Sequence, residues 1–535
     1  MNKTDFLKTF KSEKFIPFAI FIFAFLARIW FLALIRRDPA FIMPIVDSLE
    51  FDIWACDILN GNLLWTQLQS HTPLYAYFVA GIYKIFGYGV LNVILLQYLI
   101  ASAGCVLIYF ITKQLVNKTA AIISSIFMAT YWFFIYVQSF IFSENLSLLL
   151  NIVLIYILDF MKDDIKKYIF SGIILGLSVI CRPDILLFAL FILIWLTLRR
   201  LTVKKVVYFY SLFILSFLII IGPVLWRNYL ISGEFPLLRT QVGASFYQGN
   251  NPDFKGTSIN LEIGKDWEDF IATPYRQLKH ELKESEFNNF FMKETFKIIK
   301  KQPISWLKLI AGKVFSILTG RDFLRSEDVY FYDNYMAEMP FRAVSTRLIF
   351  ILAVVGIVLS LQRPKQFLLL YTFLISEAFI IFFSIKTRYL MPILPFIIIF
   401  YSYAIYSLFE SFKNKKTALS LFIILSVCLL NLVSFFNPLK VTYPSLAETY
   451  FAIAKNYHSR GNINEAVDFY SRTIHLNPRH ISAYNDLGVL FLNLEDYEKA
   501  LSCFEKALSI DKNTIKPQLN YKLCQELMSE KKKDK

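Results

Sequence analysis

Long apolar segments alternate with short polar ones along most of the chain. About eleven of these segments are close enough to 20 residues in length to be predicted as membrane-spanning helices. They cover residues 15–35, 89–112, 119–141, 144–161, 168–181, 184–198, 206–226, 343–361, 366–385, 389–410 and 417–436. Arg182-Pro183 separates two short segments and favours two spans there, because proline interrupts a helical pattern. The pattern therefore predicts an all-α, polytopic membrane helix bundle.

Composition agrees with a membrane protein. Of the 535 residues, 56% are hydrophobic and 18% are charged, whereas soluble domains carry about 25% charged residues. The net charge of +15 is compatible in principle with nucleic-acid binding. However, Lys and Arg fall in short runs between apolar segments, and no basic domain is interleaved with aromatics. Nucleic acid is therefore not expected as a partner.

The basic loops predict the orientation of the bundle. Six of them fall on the same side of the predicted membrane, around residues 3–14, 113–118, 162–167, 199–205, 363–365 and 413–416. Because cytoplasmic loops are enriched in Lys and Arg, this side is predicted to be cytoplasmic. The N-terminus is then a cytoplasmic signal anchor with no cleavage site after it. Residues 36–88, 227–342 and those after about 437 lie outside the cytoplasm.

Neither a zinc site nor a disulfide framework is predicted. The six Cys are scattered, with no CxxC pair and no His at metal-ligand spacing. Cys503 and Cys524 lie together in the C-terminal tail, but nothing further supports a bridge between them.

The C-terminal tail contains a repeated pattern of large and small residues. The spacing of 34 residues is typical of the tetratricopeptide repeat. Tyr450, Ala454, Tyr457, Ala466 and Tyr470 recur as Tyr484, Gly488, Phe491, Ala500 and Phe504. We predict repeats at 447–480 and 481–514 and a capping helix to residue 528, which makes a domain of residues 443–528 after a membrane domain of residues 1–442. Residues 529–535 are predicted to be a disordered basic tail.

The long loop 227–342 has its own organisation. Residues 249–252 and 255–256 are turn-like. A helix is predicted over Phe290–Leu318 with a break at Pro303. Its apolar face and its lysines indicate a helix lying on the membrane surface; packing against the rest of the loop is the alternative.

Acidic residues stand out in the first outer loop. Asp47, Glu50 and Asp52 follow the first apolar segment directly, and carboxylates beside a bilayer are costly unless they are hydrated, paired or used. A simple helix-capping role for Asp47 is the alternative. Basic residues also break the orientation rule on the outer face, where they either reach lipid headgroups or hold an anion such as a lipid phosphate. They are Arg36, Arg37, Arg182, Arg227, Lys386 and Arg388.

Several motifs in order resemble one superfamily. Asp47, Phe51, Ala55, Leu59 and Gly61 form D-x3-F-x3-A-x3-L-x-G, followed by Thr72-Pro73-Leu74-Tyr75, Ser143-Glu144, Arg182-Pro183, Trp226–Tyr229, Gly249–Pro252 and Arg388-Tyr389. Together they resemble the GT-C integral-membrane glycosyltransferases, in particular the protein-mannosyltransferase and aminoarabinose-transferase-like group (glycosyltransferase family 39, RgtA-B-C-D-like). The resemblance covers roughly residues 15–410. Thr72 departs from it, since the family has proline there.

The resemblance implies a function and a set of site residues. The function is transfer of a sugar from a polyprenyl-phosphate donor to a protein, lipid or glycan acceptor on the extracytoplasmic face, with inversion. Asp47 would be the catalytic base, and Glu144 and Glu50 would bind or orient the acceptor. Arg182, Arg227, Lys386, Arg388 and Tyr389 would bind the donor phosphate. No D-x-D motif is present, so no metal or other cofactor is expected to be required.

Two other classes of function are weighed against this one. A lipid or solute transporter predicts inverted repeats and interrupted spans in matching halves, which the sequence does not show. A membrane-anchored scaffold built around the tail does not need so many spans. The tail is expected to recruit a protein partner in any of these cases. Glu377, inside the ninth predicted span, either pairs with a basic group or faces a cavity.

Overall fold

Helices make up all the regular structure that the computed structural model describes. The described residues are 3–64, 68–199, 201–234, 238–254, 270–278, 282–320, 326–335, 338, 346–383, 386–435, 439, 445–512 and 514–533. Within them there is no β-strand, as the predicted all-α class requires. The predicted turn at 255–256 and the predicted domain boundary at 442–443 lie outside this part of the chain.

The N-terminal half consists of long helices joined by short turns. Its α-helices are Lys3–Ile35, Pro39–Ile42, Asp47–Leu59, Leu74–Phe86, Val90–Leu115, Lys118–Thr130, Trp132–Gln138, Ser143–Phe160, Ile165–Cys181, Phe188–Leu198 and Val203–Ser232. A 3-10 turn, Pro183–Leu187, separates the two short helices on either side of Arg182.

The second half of the membrane domain begins with the helices of the long loop and continues with apolar helices. The α-helices are Val242–Asn250, Thr273–Leu278, Glu284–Lys301, Pro303–Leu318, Ser326–Tyr335, Thr346–Ser360, Pro364–Glu377, Leu394–Lys413 and Thr417–Ser434. The 3-10 turns are Pro252–Phe254, Ala378–Phe382 and Thr387–Leu390.

Six helices in the described part of the chain are long and apolar enough to cross a membrane, and a bent pair brings the number to seven. Four shorter apolar helices lie at Leu74–Phe86, Pro183–Leu198, Thr346–Ser360 and Thr417–Val433. Every predicted span contains a helix in the part of the chain that the structure describes, but crossing of a membrane at each of these positions stays a prediction. The count of eleven crossings stays a prediction.

The bent pair is held by a buried arginine. Lys118–Thr130 and Trp132–Gln138 meet at an angle of 50°. Arg28 is fully buried beside this break, and it donates to the carbonyl of Ala129 at 3.3 Å and to Gln138 Oε1 at 2.8 Å. A bend leaves carbonyls without helical partners, and the guanidinium satisfies one of them.

The helix break predicted at Pro303 is confirmed. Glu284–Lys301 ends just before it, and Pro303–Leu318 starts with the proline at its first turn, where the missing N–H is tolerated. Location on a membrane surface stays a prediction.

Lys313 on the second of these helices is completely buried. It donates to the carbonyls of Ile381 at 2.7 Å and Phe383 at 3.0 Å, and also to that of Gly249. Burial lowers the pKa of Lys313 to about 7. This side chain joins three separate segments of the chain.

The tail folds as two helical hairpins and a final helix. The helices are Ala447–Ser459, Ile463–Leu476, Ile481–Asn493, Tyr497–Ile510 and Ile515–Lys533. Small residues are buried where helices meet, as the repeat pattern predicts: Ala466 and Ala500 have no exposed surface. The last helix continues to Lys533, in a sequence rich in Glu and Lys, which are strong helix formers. Disorder of residues 529–535 stays a prediction.

Candidate functional site

Asp47 is the first residue of the helix Asp47–Leu59. Its carboxylate pairs with Arg388, which is 341 residues further along the chain, and about 20% of the Asp47 side chain is exposed. Val46, directly before it, has φ 50°, which is unusual for a β-branched residue. Such a conformation costs of order 1–3 kcal/mol and persists only where the surroundings impose it. Asp47 is therefore held in a constrained backbone beside a cation, which is more than helix capping requires.

Glu144 bridges two arginines in the interior. Its Oε1 lies 2.7 Å from Arg182 Nη1 and 3.5 Å from Arg388 Nε, and only 3% of the residue is exposed. It occupies the first turn of the helix Ser143–Phe160, where the helix dipole favours a carboxylate. Glu144 thus serves the dipole and also holds both guanidinium groups in place.

Tyr389 lies among three cations. Its ring centre is 4.9 Å from Arg182 Cζ, 5.1 Å from Lys386 Nζ and 5.6 Å from Arg388 Cζ. Arg388 also lies 4.5 Å from the ring centre of Phe142. Cation–π contacts of this kind stabilise closely spaced cations. The structure therefore brings together six of the predicted residues: Asp47, Glu144, Arg182, Lys386, Arg388 and Tyr389.

Side-chain hydrogen bonds join the chain segments around this site. Thr72 Oγ1 donates to the carbonyl of Cys181 at 2.6 Å, and Cys181 Sγ donates to the carbonyl of Ser143 at 3.4 Å. Each contact touches a residue next to Arg182 or Glu144. Thr72, which departs from the family pattern, thus supplies a hydrogen bond that a proline there does not.

Two predicted residues make different contacts. Glu50 accepts from Ser70 Oγ at 3.0 Å and lies 3.2 Å from His71 Nε2. Arg227 donates to the carbonyl of Leu64 at 2.7 Å and to its neighbour Asn228. Through these contacts both side chains border the first loop.

Asp184 is a site residue that the sequence did not predict. This carboxylate accepts from Arg182 Nε at 2.8 Å and Nη2 at 2.6 Å. A carboxylate two residues after the arginine, across Pro183, was the available signal. Asp52, in contrast, accepts from Tyr83 at 2.5 Å and Tyr88 at 3.1 Å, which is a structural role.

The formal charges of the cluster balance. Asp47, Glu144 and Asp184 oppose Arg182, Lys386 and Arg388 in the contacts described above. Arginine in particular suits phosphate oxygens, which it binds through two parallel hydrogen bonds. An incoming phosphate would therefore compete with the carboxylates for these cations.

No group of three or more His, Cys, Asp or Glu is placed to hold a metal ion among the residues that the structure describes. A reaction without a metal requirement stays a prediction.

Comparison with known families agrees with the resemblance seen in the sequence. Residues 70–226 match the family described as dolichyl-phosphate-mannose-protein mannosyltransferase. Residues 447–480 and 481–514 each match a tetratricopeptide repeat, which confirms both predicted repeat boundaries.

Solved structures of an archaeal oligosaccharyltransferase from Archaeoglobus fulgidus are similar in part. One is AglB in complex with an inhibitory peptide and a dolichol-phosphate, at 12% identity and TM-score 0.44, covering 85% of this chain and 59% of that one. The apo form gives 11% identity and TM-score 0.46, covering 79% of this chain and 55% of that one. The chain thus spans less than two thirds of these proteins' length.

Proposed function

For an integral membrane protein that carries a mannosyltransferase-type domain and two tetratricopeptide repeats, we propose transfer of a sugar from a polyprenyl-phosphate donor to an acceptor hydroxyl or amide. The observation that carries this proposal is the cluster in which Asp47 pairs with Arg388, and Glu144 bridges Arg388 and Arg182. It places a carboxylate able to act as a base beside buried cations suited to a phosphate.

The transfer step follows from this arrangement. The acceptor oxygen or nitrogen attacks the anomeric carbon of the sugar while the bond from that carbon to the phosphate oxygen breaks. The acceptor proton passes to the Asp47 carboxylate, acting as a general base. Attack on the face opposite the leaving group inverts the anomeric configuration, and the polyprenyl phosphate leaves with one more negative charge.

Charge on the leaving phosphate is what the cations would stabilise. Arg388, Arg182 and Lys386 surround Tyr389, and fixed charges in a water-poor site stabilise developing charge strongly. A phosphate that binds Arg388 also loosens its pairing with Asp47. The donor thereby frees the base that the reaction needs.

The supporting residues take roles that fit their contacts. Glu144 and Asp184 position Arg182. Glu50, beside Ser70 and His71, and Arg227, beside Leu64, border the first loop, where an acceptor or the sugar would approach. Arg227 is kept in this proposal as a residue that binds the donor phosphate.

The site is proposed to face the outside of the cell membrane. This follows from the six basic loops on the opposite side of the bundle. The tetratricopeptide tail then lies on the same outer side as the site, where it can bind a protein acceptor or a protein partner.

A reconstitution experiment tests the class of reaction. Purified protein in liposomes is supplied with a radiolabelled polyprenyl-phosphate sugar and a cell-envelope acceptor fraction. The proposal predicts label bound covalently to the acceptor and release of polyprenyl phosphate. Movement of the labelled lipid across the bilayer without any transfer of sugar would instead indicate a transporter. If neither transfer nor movement occurs with any lipid donor, the membrane-anchored scaffold is the favoured function.

A further inference from the structure

The tail contacts the loop that carries Asp47. Asn456, in the first tail helix, donates its side-chain amide to the carbonyl of Pro44 at 2.6 Å. The contact joins residues 412 positions apart, and only 2% of Asn456 is exposed. A buried hydrogen bond of this kind excludes water and fixes the backbone it reaches.

Buried apolar residues surround this hydrogen bond. Ala40 and Ile45 of the loop lie in one buried cluster with Phe451, Ala454 and further residues of the first repeat. Ile45 is 4% exposed and Ala454 has no exposed surface. The loop therefore completes the core of the first repeat.

The helix Ser326–Tyr335 of the membrane domain also contacts this segment. Tyr330 donates to Asp38 at 2.9 Å, and Tyr335 donates to Asp38 as well. The ring of Tyr330 also packs edge-on against Tyr450 of the tail, with 6.0 Å between ring centres. Loop, outer helix and tail thus form one packed unit.

The backbone held in this way leads directly into Asp47. Pro44 is three residues before Asp47, and the carbonyl of Ile45 accepts from Ser48 N at 3.1 Å in the first turn of the Asp47 helix. Val46, with its positive φ, lies between them. A strained residue keeps its conformation only while the surrounding structure imposes it. For Val46, part of that surrounding structure is the tail, which holds Pro44 through Asn456.

We propose that the first tetratricopeptide repeat is a structural part of the transfer site, with Asn456 as a positioning residue that sets the Asp47 loop through Pro44. This inference rests on the proposed function. A ligand bound to the tail would, by the same contacts, alter transfer.

A double-mutant cycle in the full-length protein tests the coupling. The variants are Asn456→Ala, Ile45→Ala and both together, with kcat and donor KM measured for each. A displaced base slows turnover by roughly tenfold or more, so kcat falls in Asn456→Ala while donor KM stays near the wild-type value. Since both residues act on one loop, the double variant is expected to lose much less than the product of the two single losses.

Asn485→Ala is the matched control. Asn485 is also a buried tail asparagine, but its amide contacts Asp486 and Asn520 within the tail. It should keep wild-type kcat and combine additively with Ile45→Ala to within about twofold. Hydrogen exchange supplies a second readout: Asn456→Asp, which keeps the size and removes the donor, should raise exchange at residues 44–50.

Two results would overturn the inference. One is wild-type kcat in Asn456→Ala from a preparation whose wild type is active. The other is unchanged exchange at residues 44–50 in Asn456→Asp. If the wild type itself transfers no sugar, the proposed function fails, while the exchange measurement still decides whether the tail holds the loop.

Discussion

Glu144 is the residue that organises the cations of the site. Glu144 was predicted to bind or orient the acceptor, because the family motif gives its place in the chain and not its neighbours. Its position between Arg182 and Arg388 was not predicted. Asp184 was missed for the same reason, since a carboxylate near an arginine in sequence need not pair with it. The pairing of Asp47 with Arg388 depends on the fold and could not be read from the spacing of charges.

Replacing Glu144 tests this organising role. Glu144→Gln leaves two buried guanidinium groups without their shared carboxylate, and truncation of one partner of a buried charge pair costs about 3–5 kcal/mol. We expect a lower melting temperature and a rise in donor KM of about tenfold or more. Glu410→Gln, at a partly exposed carboxylate that accepts from Asn414, should change neither. Wild-type donor KM in Glu144→Gln would contradict the role.

The buried Lys313 should make the free energy of unfolding depend on pH. Its pKa is lowered by burial to about 7 from an ordinary value of 10.5. Between these values the unfolded chain binds one more proton than the folded chain, so this group makes stability rise with pH across that window. Below about pH 7 both states carry the proton and the contribution to the slope vanishes.

Thermal unfolding in detergent between pH 6.5 and 10 measures this slope. The contribution should disappear in Lys313→Met and remain in Lys308→Met, since Lys308 is an exposed lysine on the same helix. Equal slopes in the two variants would show that Lys313 is not the source.

At the scale of elements, apolar length and proline predicted most of the helices. The break at Pro303 was readable because proline carries its own signal. The bend near Tyr131 was not, because the sequence on both sides is apolar and the cause is Arg28, about a hundred residues earlier. Contacts between helices are also set by small residues whose partners the sequence does not reveal.

Gly356 shows such a contact. A Cβ added there would lie 1.9 Å from the carbonyl oxygen of Phe400 on the helix Leu394–Lys413, so Gly356→Ala must push two helices apart. We expect a loss of about 1–3 kcal/mol, seen as a lower melting temperature. Gly222→Ala is the control, because nothing lies within 4 Å of its added Cβ, and alanine favours a helix. Equal melting temperatures for the two variants would contradict close packing at Gly356.

For the whole molecule, the repeats and the membrane domain were each predictable from sequence. The packing of the repeats against the membrane domain was not predictable, because the contact of Asn456 with Pro44 joins segments that share no sequence pattern. A tail expected only to recruit partners proves to pack against the first loop.

The predicted orientation of the bundle places the tail outside the cytoplasm. In a variant without native cysteines, Ser471→Cys places one exposed thiol on the tail, and Asn414→Cys places one in a predicted cytoplasmic loop. An impermeant maleimide added to intact cells should label the tail cysteine, and the loop cysteine only after lysis. The reverse pattern would mean that the predicted orientation is inverted.

We propose Asp47 as the base for transfer from a lipid-phosphate sugar. Single-turnover transfer in Asp47→Asn, with donor binding measured in parallel, tests it most directly. Asp57→Asn on the same helix is the matched control and should keep the wild-type rate. We expect Asp47→Asn to bind donor still but to transfer the sugar about 10²–10⁴-fold more slowly. Transfer by Asp47→Asn at the wild-type rate would contradict it.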